Sequence, residues 1–112
     1  MQDFAPQQTF KRTTLQRTDV PASNYEAVMG ITELPPNAYI ARESHPGLEA
    51  GYVLQGSATL FVDGQPPLAL STGQSWMLAP NAQHEFRAGP DGVKVLANWV
   101  VEKGRAFASP AS

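Results

Sequence analysis

The sequence holds two histidines, His45 and His84, and each has carboxylates near it in the chain. Glu43 and His45 lie two residues apart, so on an extended segment both side chains point to one face. Pro46-Gly47 then turns the chain, and Glu49 opens the next segment, from which it can return to the same spot. His84 arrives from a segment about forty residues later. Two imidazoles and two carboxylates could thus converge inside a small domain. Nitrogen and oxygen ligands without sulfur suit Mn, Fe, Ni, Cu or Zn. The chain has no Cys, which excludes disulfides, thiolate metal sites and a Cys nucleophile. Neither His has a serine placed for a Ser-His-Asp triad, and no Gly-rich phosphate loop is present.

The elements that must carry these residues are short strands. Turn residues recur about every ten positions: Pro21, Pro35-Pro36-Asn37, Pro46-Gly47, Gly56, Asp63-Gly64, Gly73, Pro80-Asn81 and Gly89-Pro90. Within Tyr25–Leu34, the apolar Tyr25, Ala27, Met29 and Ile31 alternate with Glu26, Val28, Gly30 and Thr32, a period of two. Tyr39–Glu43, Leu48–Gln55, Ser75–Leu78 and His84–Ala88 are further strand candidates. Ser57–Val62 and Leu68–Leu70, joined through Asp63-Gly64, read as a hairpin. Val93–Glu102 is rich in β-branched residues and is the longest candidate. No window keeps the apolar spacing of a long helix. The expectation is an all-β sandwich or barrel.

The spacing of the chemical residues resembles that of a known family, the cupins. The run Asn37-AYIAR-Glu43-Ser44-His45-PGL-Glu49-AGYVLQ-Gly56 is similar to the first cupin motif, G-x5-H-x-H-x3-4-E-x6-G. The run Gly73-QSWML-Ala79-Pro80-Asn81-AQ-His84-EFR-Ala88 is similar to the second, G-x5-P-x-G-x2-H-x3-N. Residues 57–72 separate them, as in compact single-domain members. The resemblance implies one cupin domain over residues 1–112, a double-stranded β-helix or jelly-roll barrel closed over a metal or ligand pocket. It places the metal-ligand slots on Glu43, His45, Glu49 and His84, for a divalent ion such as Mn, Fe, Ni or Zn. Asn37, Ala79, Asn81 and Ala88 depart from the motifs; at Asn37 and Asn81 the exchange is mild, because Asn tolerates the positive φ that Gly supplies.

Glu43 is the departure with chemical consequences, since it stands where the family carries its first His ligand. Without a cation, Glu43 and Glu49 side by side would repel, and one would take up a proton. With a divalent ion, two carboxylates and two neutral imidazoles make a neutral shell that favours harder metals. Alternatively His45, Glu49 and His84 form a 2-His-1-carboxylate face, and Glu43 becomes the catalytic proton acceptor beside the metal. The competing reading is a pair of hydrogen-bonded histidines in a metal-free pocket, with Glu43 salt-bridged to Arg42 or Arg87 or simply solvated. By strand parity, Tyr39, Ala41, Val53, Gln55, Phe86 and Ala88 share the inner face with the ligands and form the expected pocket wall. Glu85 and Arg87 should be outer-surface charges, and Trp76, Trp99, Phe61, Phe86 and Tyr39 core residues.

Composition bounds the function classes. The chain has 112 residues, 42% hydrophobic and 16% charged, which fits one globular domain. Eight Lys and Arg against ten Asp and Glu give a net charge of -2, which argues against a nucleic-acid partner. No apolar run is long enough to span a membrane. The expected partner is a small organic molecule, bound or transformed by an oxygenase, isomerase or lyase type of chemistry; the alternative is ligand binding without turnover, or a degenerate barrel. A homodimer is also expected, with the segment TFKRTTLQ and the strand Val93–Glu102 as means of extending the sheet. The first residues and the tail 104–112 should be loosely ordered. No leader of signal type is visible, which suggests a cytoplasmic protein; the closing run VVEKGRAFASP resembles the ends of small bacterial cupins that are often exported, so Met1-Gln2-Asp3-Phe4 can also be read as a mature periplasmic or secreted start behind an added Met.

Overall fold

The computed structural model describes residues 10–110; the expectations for Met1–Phe4 and for the last two residues lie outside that range. Eight strands follow in order: β1 (Lys11–Asp19), β2 (Tyr25–Leu34), β3 (Tyr39–Ser44), β4 (Glu49–Val62), β5 (Leu68–Ser71), β6 (Ser75–Leu78), β7 (His84–Glu102) and β8 (Ser109–Pro110). Among the described residues there is no helix. The strands run β1-β2-β7-β3-β8 along one path, with β4 pairing β5, β6 and β7, and every pairing is antiparallel. The expected all-β jelly-roll is what forms.

Two long strands hold it together. β4 and β7 were expected as two strands each, broken at Gly56 and at Gly89-Pro90. Each instead runs through its glycines as a bent strand, and each serves both halves of the barrel. Gly56 makes the bend possible, with φ at +86°, and a Cβ there would lie 2.1 Å from the Gly92 carbonyl oxygen. The asparagines that replace motif glycines behave as their chemistry suggests: φ is +61° at Asn37 and +66° at Asn81.

β2 buries Val28, Gly30, Thr32 and Leu34, leaving Tyr25, Ala27, Met29 and Ile31 on the outer side. Register with β7 decides this. Val28, Gly30, Thr32 and Leu34 stand opposite Trp99, Ala97, Val95 and Val93, the inward residues of that strand. β7 is central between β2 and β4, so Val93–Glu102 offers no free edge for sheet extension, and β1 already extends the sheet within the chain. The core is two clusters, a larger one around Ile40, Val53, Leu60, Trp76 and Phe86, and a smaller one of Val28, Ala97, Trp99 and Val101. Phe107 packs on the smaller cluster, so the run from Gly104, expected to trail loosely, folds back instead. Ser109 and Pro110 pair with Ser44 and Glu43 of β3.

Candidate metal centre

The site lies where the two core clusters meet. His84 opens β7, and its Nδ1 lies 2.9 Å from the Ala82 carbonyl; His45 follows β3, and its Nδ1 lies 3.0 Å from the Phe107 carbonyl. A carbonyl only accepts, so each Nδ1 carries the proton and donates it. With Nδ1 so engaged, each ring turns its Nε2 to the interior, the atom that binds a metal when it carries no proton. The two rings are 5.0 Å apart between centroids. Oε2 of Glu43 lies 3.4 Å from the His45 Nε2 and 4.0 Å from the His84 Nε2. Donor atoms of Glu43, His45 and His84 all fall within 4.8 Å of one another.

A bulge brings Glu43 there. β3 pairs Ile40 with Phe86 and Glu43 with His84, so it uses one more residue than β7 over the same span. Parity therefore changes between Ile40 and Glu43, and Ile40 takes the inner position. Tyr39 and Ala41, expected on the inner wall, are corrected to the outside: the Tyr39 ring lies under the Arg87 guanidinium at 4.6 Å, and Ala41 is exposed. Gln55 is exposed as well, because β4 is bulged between Val53 and Gln55. Val53, Phe86 and Ala88 point inward, and of these Phe86 lines the cavity beside the cluster. Arg42 pairs with Asp63, and Arg87 with Glu85, so neither takes up Glu43.

Glu49 sits beside the trio rather than within it. Its Oε1 is 3.1 Å from the His45 Nε2, and it is clasped by two indoles: Trp76 Nε1 donates to Oε2 at 2.7 Å and Trp99 Nε1 to Oε1 at 2.8 Å. Trp76 reaches it by lying over Gly51, where a Cβ would come within 2.1 Å of the ring. Burial alone would raise the Glu49 pKa, but hydrogen bonds from His45 and Trp76 and the charges of His45 and His84 hold it below the usual value. Burial likewise opposes charge on His45; the Glu49 hydrogen bond, the Phe107 carbonyl and the two carboxylate charges outweigh it, so its pKa is raised. In the metal-free protein the His45 Nε2 therefore favours holding a proton against these carboxylates, in the place where a divalent ion would sit. That donor set, two imidazole nitrogens oriented by backbone carbonyls plus a carboxylate oxygen, fits a first-row divalent metal.

Sequence reasoning missed two residues of this region. Arg12, on β1 opposite Thr32, turns inward and stacks against Phe10, Trp99 and Phe107, its guanidinium carbon 5.1, 5.3 and 5.0 Å from the ring centroids. Burial lowers its pKa, and Glu43 and Glu49 partly offset that. Nothing in the polar run KRTTLQRTD marks Arg12 as inward. Phe107 caps His45, its ring 4.9 Å away. Arg12, Thr32, Glu43, Glu49, His84 and Trp99 are among the residues that enclose a cavity of about 30 Å³. Outside it lies a cleft of about 300 Å³, lined by Phe10, Ala41, Arg42 and Ala108–Pro110; cleft and cavity share Ile40 and Glu43.

Comparison with known proteins agrees with this architecture. The structure of DMSP lyase DddQ from Ruegeria pomeroyi DSS-3 superposes with a TM-score of 0.77 at 22% identity, covering 91% of this chain and 51% of that one. A second DMSP lyase structure is covered over 44% of its length, so this chain spans about half of both. A cupin-2 domain from Rhodospirillum rubrum and a cupin 2 conserved barrel domain protein from Rhodopseudomonas palustris each superpose with a TM-score of 0.74 over 100% of this chain, at 17% and 20% identity, covering 72% and 73% of theirs. No curated protein matches the sequence. The Cupin domain family matches residues 30–108, a span that holds both histidines, both carboxylates and the two bent strands. Spacing, fold and family match converge, and the chain belongs to the cupin family.

Proposed function

We propose that this cupin is a divalent-metal protein acting on a small organic molecule. The observation that carries the reading is the orientation of the histidines: both Nδ1 atoms are spent on backbone carbonyls, and both Nε2 atoms face Glu43. Glu43, His45 and His84 would hold the ion, and Glu49, fixed by Trp76 and Trp99, would complete the shell or steady His45. A bound divalent ion would supply Lewis acidity or redox chemistry to a ligand oxygen. Glu43 borders both cavity and cleft, so it is the carboxylate a bound molecule meets first and the group placed to accept a proton from it. Likeness to the DMSP lyases makes a lyase one candidate reaction beside an oxygenase or isomerase; at 22% identity it carries no further.

Calorimetry on metal-stripped protein with Mn, Fe, Ni and Zn tests the reading. Binding of at least one ion, lost in His84→Ala, supports it; equal and negligible binding by both proteins overturns it. A second reading, ligand binding without turnover, is favoured by the rest of the cavity wall. Apart from the cluster and Arg12 that wall is Thr32, Trp76, Trp99 and aliphatic or phenyl groups, which offer little for proton transfer. Oxygen uptake or product formation by the metal-loaded protein separates the two.

The same reading has the chain working as a homodimer. Leu48, just before β4, and Tyr52, Leu54 and Met77 along β4 and β6 are exposed on the side where Ala50 and Met77 stand opposite each other.

A further inference from the structure

Arg12 is the charged side chain of the cavity wall that the metal cluster does not use. The ion pairs formed among the described residues leave it out. Among the described residues its hydrogen bond is a long one, Nε to the Thr32 Oγ1 at 3.5 Å, although a guanidinium has five N–H donors in a planar fork. Three aromatic rings hold the group in place without satisfying those donors. A guanidinium half-buried among aromatic rings, with most of its donors unmatched among the described residues, is suited to a partner.

Charge points to what that partner is. With a divalent ion on the cluster, the Glu43 and Glu49 carboxylates cancel the ion and the imidazoles are neutral. The guanidinium then leaves a single positive charge over, in a pocket where screening is weak. Without the ion, a proton held on the His45 Nε2 and the guanidinium together only balance the two carboxylates, and no positive charge is left over for an anion. Shape adds to this. The inner cavity of about 30 Å³ admits a carboxylate head, and the adjoining cleft of about 300 Å³ has room for a short carbon body.

We infer that the site takes a small organic carboxylate, with Arg12 as the residue that anchors its charged end and sets its orientation toward the cluster. The inference rests on the metal reading above and names the ligand class for that site. A guanidinium suits the task because its parallel N–H groups meet both oxygens of a carboxylate.

The probes are propionate and its neutral isostere propionamide, titrated into zinc-loaded protein and followed by backbone amide NMR, with zinc affinity measured separately by calorimetry. Wild type should bind propionate in preference to propionamide, and Arg12→Gln should cut that preference by about tenfold or more. Arg12→Lys, which keeps the charge and loses the fork, should fall between and stands in if Arg12→Gln does not fold. A purely structural Arg12 would change the melting temperature and shift both probes alike. The anchor is overturned if wild type does not discriminate, or if the preference survives the loss of the guanidinium. If zinc binds and Arg12→Gln leaves the preference intact, only the anchor falls; if zinc does not bind wild type, the metal reading falls and the anchor with it.

Discussion

Two backbone carbonyls, of Ala82 and Phe107, govern the chemistry of both histidines, because they fix which nitrogen carries the proton. His84→Ala should therefore lower zinc or nickel affinity by at least about tenfold, read by calorimetry. Glu43→His should tighten both ions by adding a third nitrogen beside the other two. Proton and metal compete for the same His45 lone pair, so metal affinity should fall with acidification, starting above the ordinary imidazole value of 6.5 because that pKa is raised. Metal-free stability should run the other way on its alkaline side. The raised His45 pKa contributes stability that is full below pH 6.5 and is lost as pH climbs through the folded value. The lowered Glu49 pKa contributes stability present above pH 4.5 and lost as pH drops through the folded value. Melting of the metal-free protein should thus peak between about 4.5 and 6.5, and added zinc should move the optimum upward. A melting profile flat across that range contradicts the assignment.

At the level of elements, β6 and the hairpin of β4 and β5 were legible because alternation and Asp-Gly turn chemistry are local. Convergence of Glu43, His45 and His84 was legible through motif spacing. What failed was parity carried across a bulge: Tyr39, Ala41 and Gln55 were placed inward by counting in twos, and one extra residue in a strand inverts that count. β1 was legible only in part: TFKRTTLQ was expected to extend a sheet, but the bounds of the strand and its pairing with β2 were not expected. Its residues are largely exposed on an edge strand, so no burial pattern marks it. The clasp on Glu49 was hidden too, since β6 and β7 reach that carboxylate from distant parts of the sequence. Gly51→Ala tests the clasp. The added methyl collides with the Trp76 ring, so stability should drop by about 1–3 kcal/mol as an overpacked core does, and metal affinity should weaken as Glu49 loses a donor. Chemical denaturation and calorimetry read the two effects.

For the whole molecule, the apolar outer side of β4 and β6 predicts self-association. Sedimentation at tens of micromolar should give about twice the 12.1 kDa chain mass, and Met77→Glu, at a side chain 74% exposed, should return the monomer mass with little change in melting. A monomer mass for wild type rejects the pairing. The clasp on Glu49 has one more consequence, and it is optical. The chain contains only two tryptophans, and both indole N–H groups point at the same carboxylate. An indole's emission responds to charge placed beside its ring, so the tryptophan fluorescence of the protein reports on the charge at this carboxylate and on the Arg12 guanidinium beside Trp99. Occupancy of the barrel can accordingly be watched in unlabelled protein, as a change in colour and brightness.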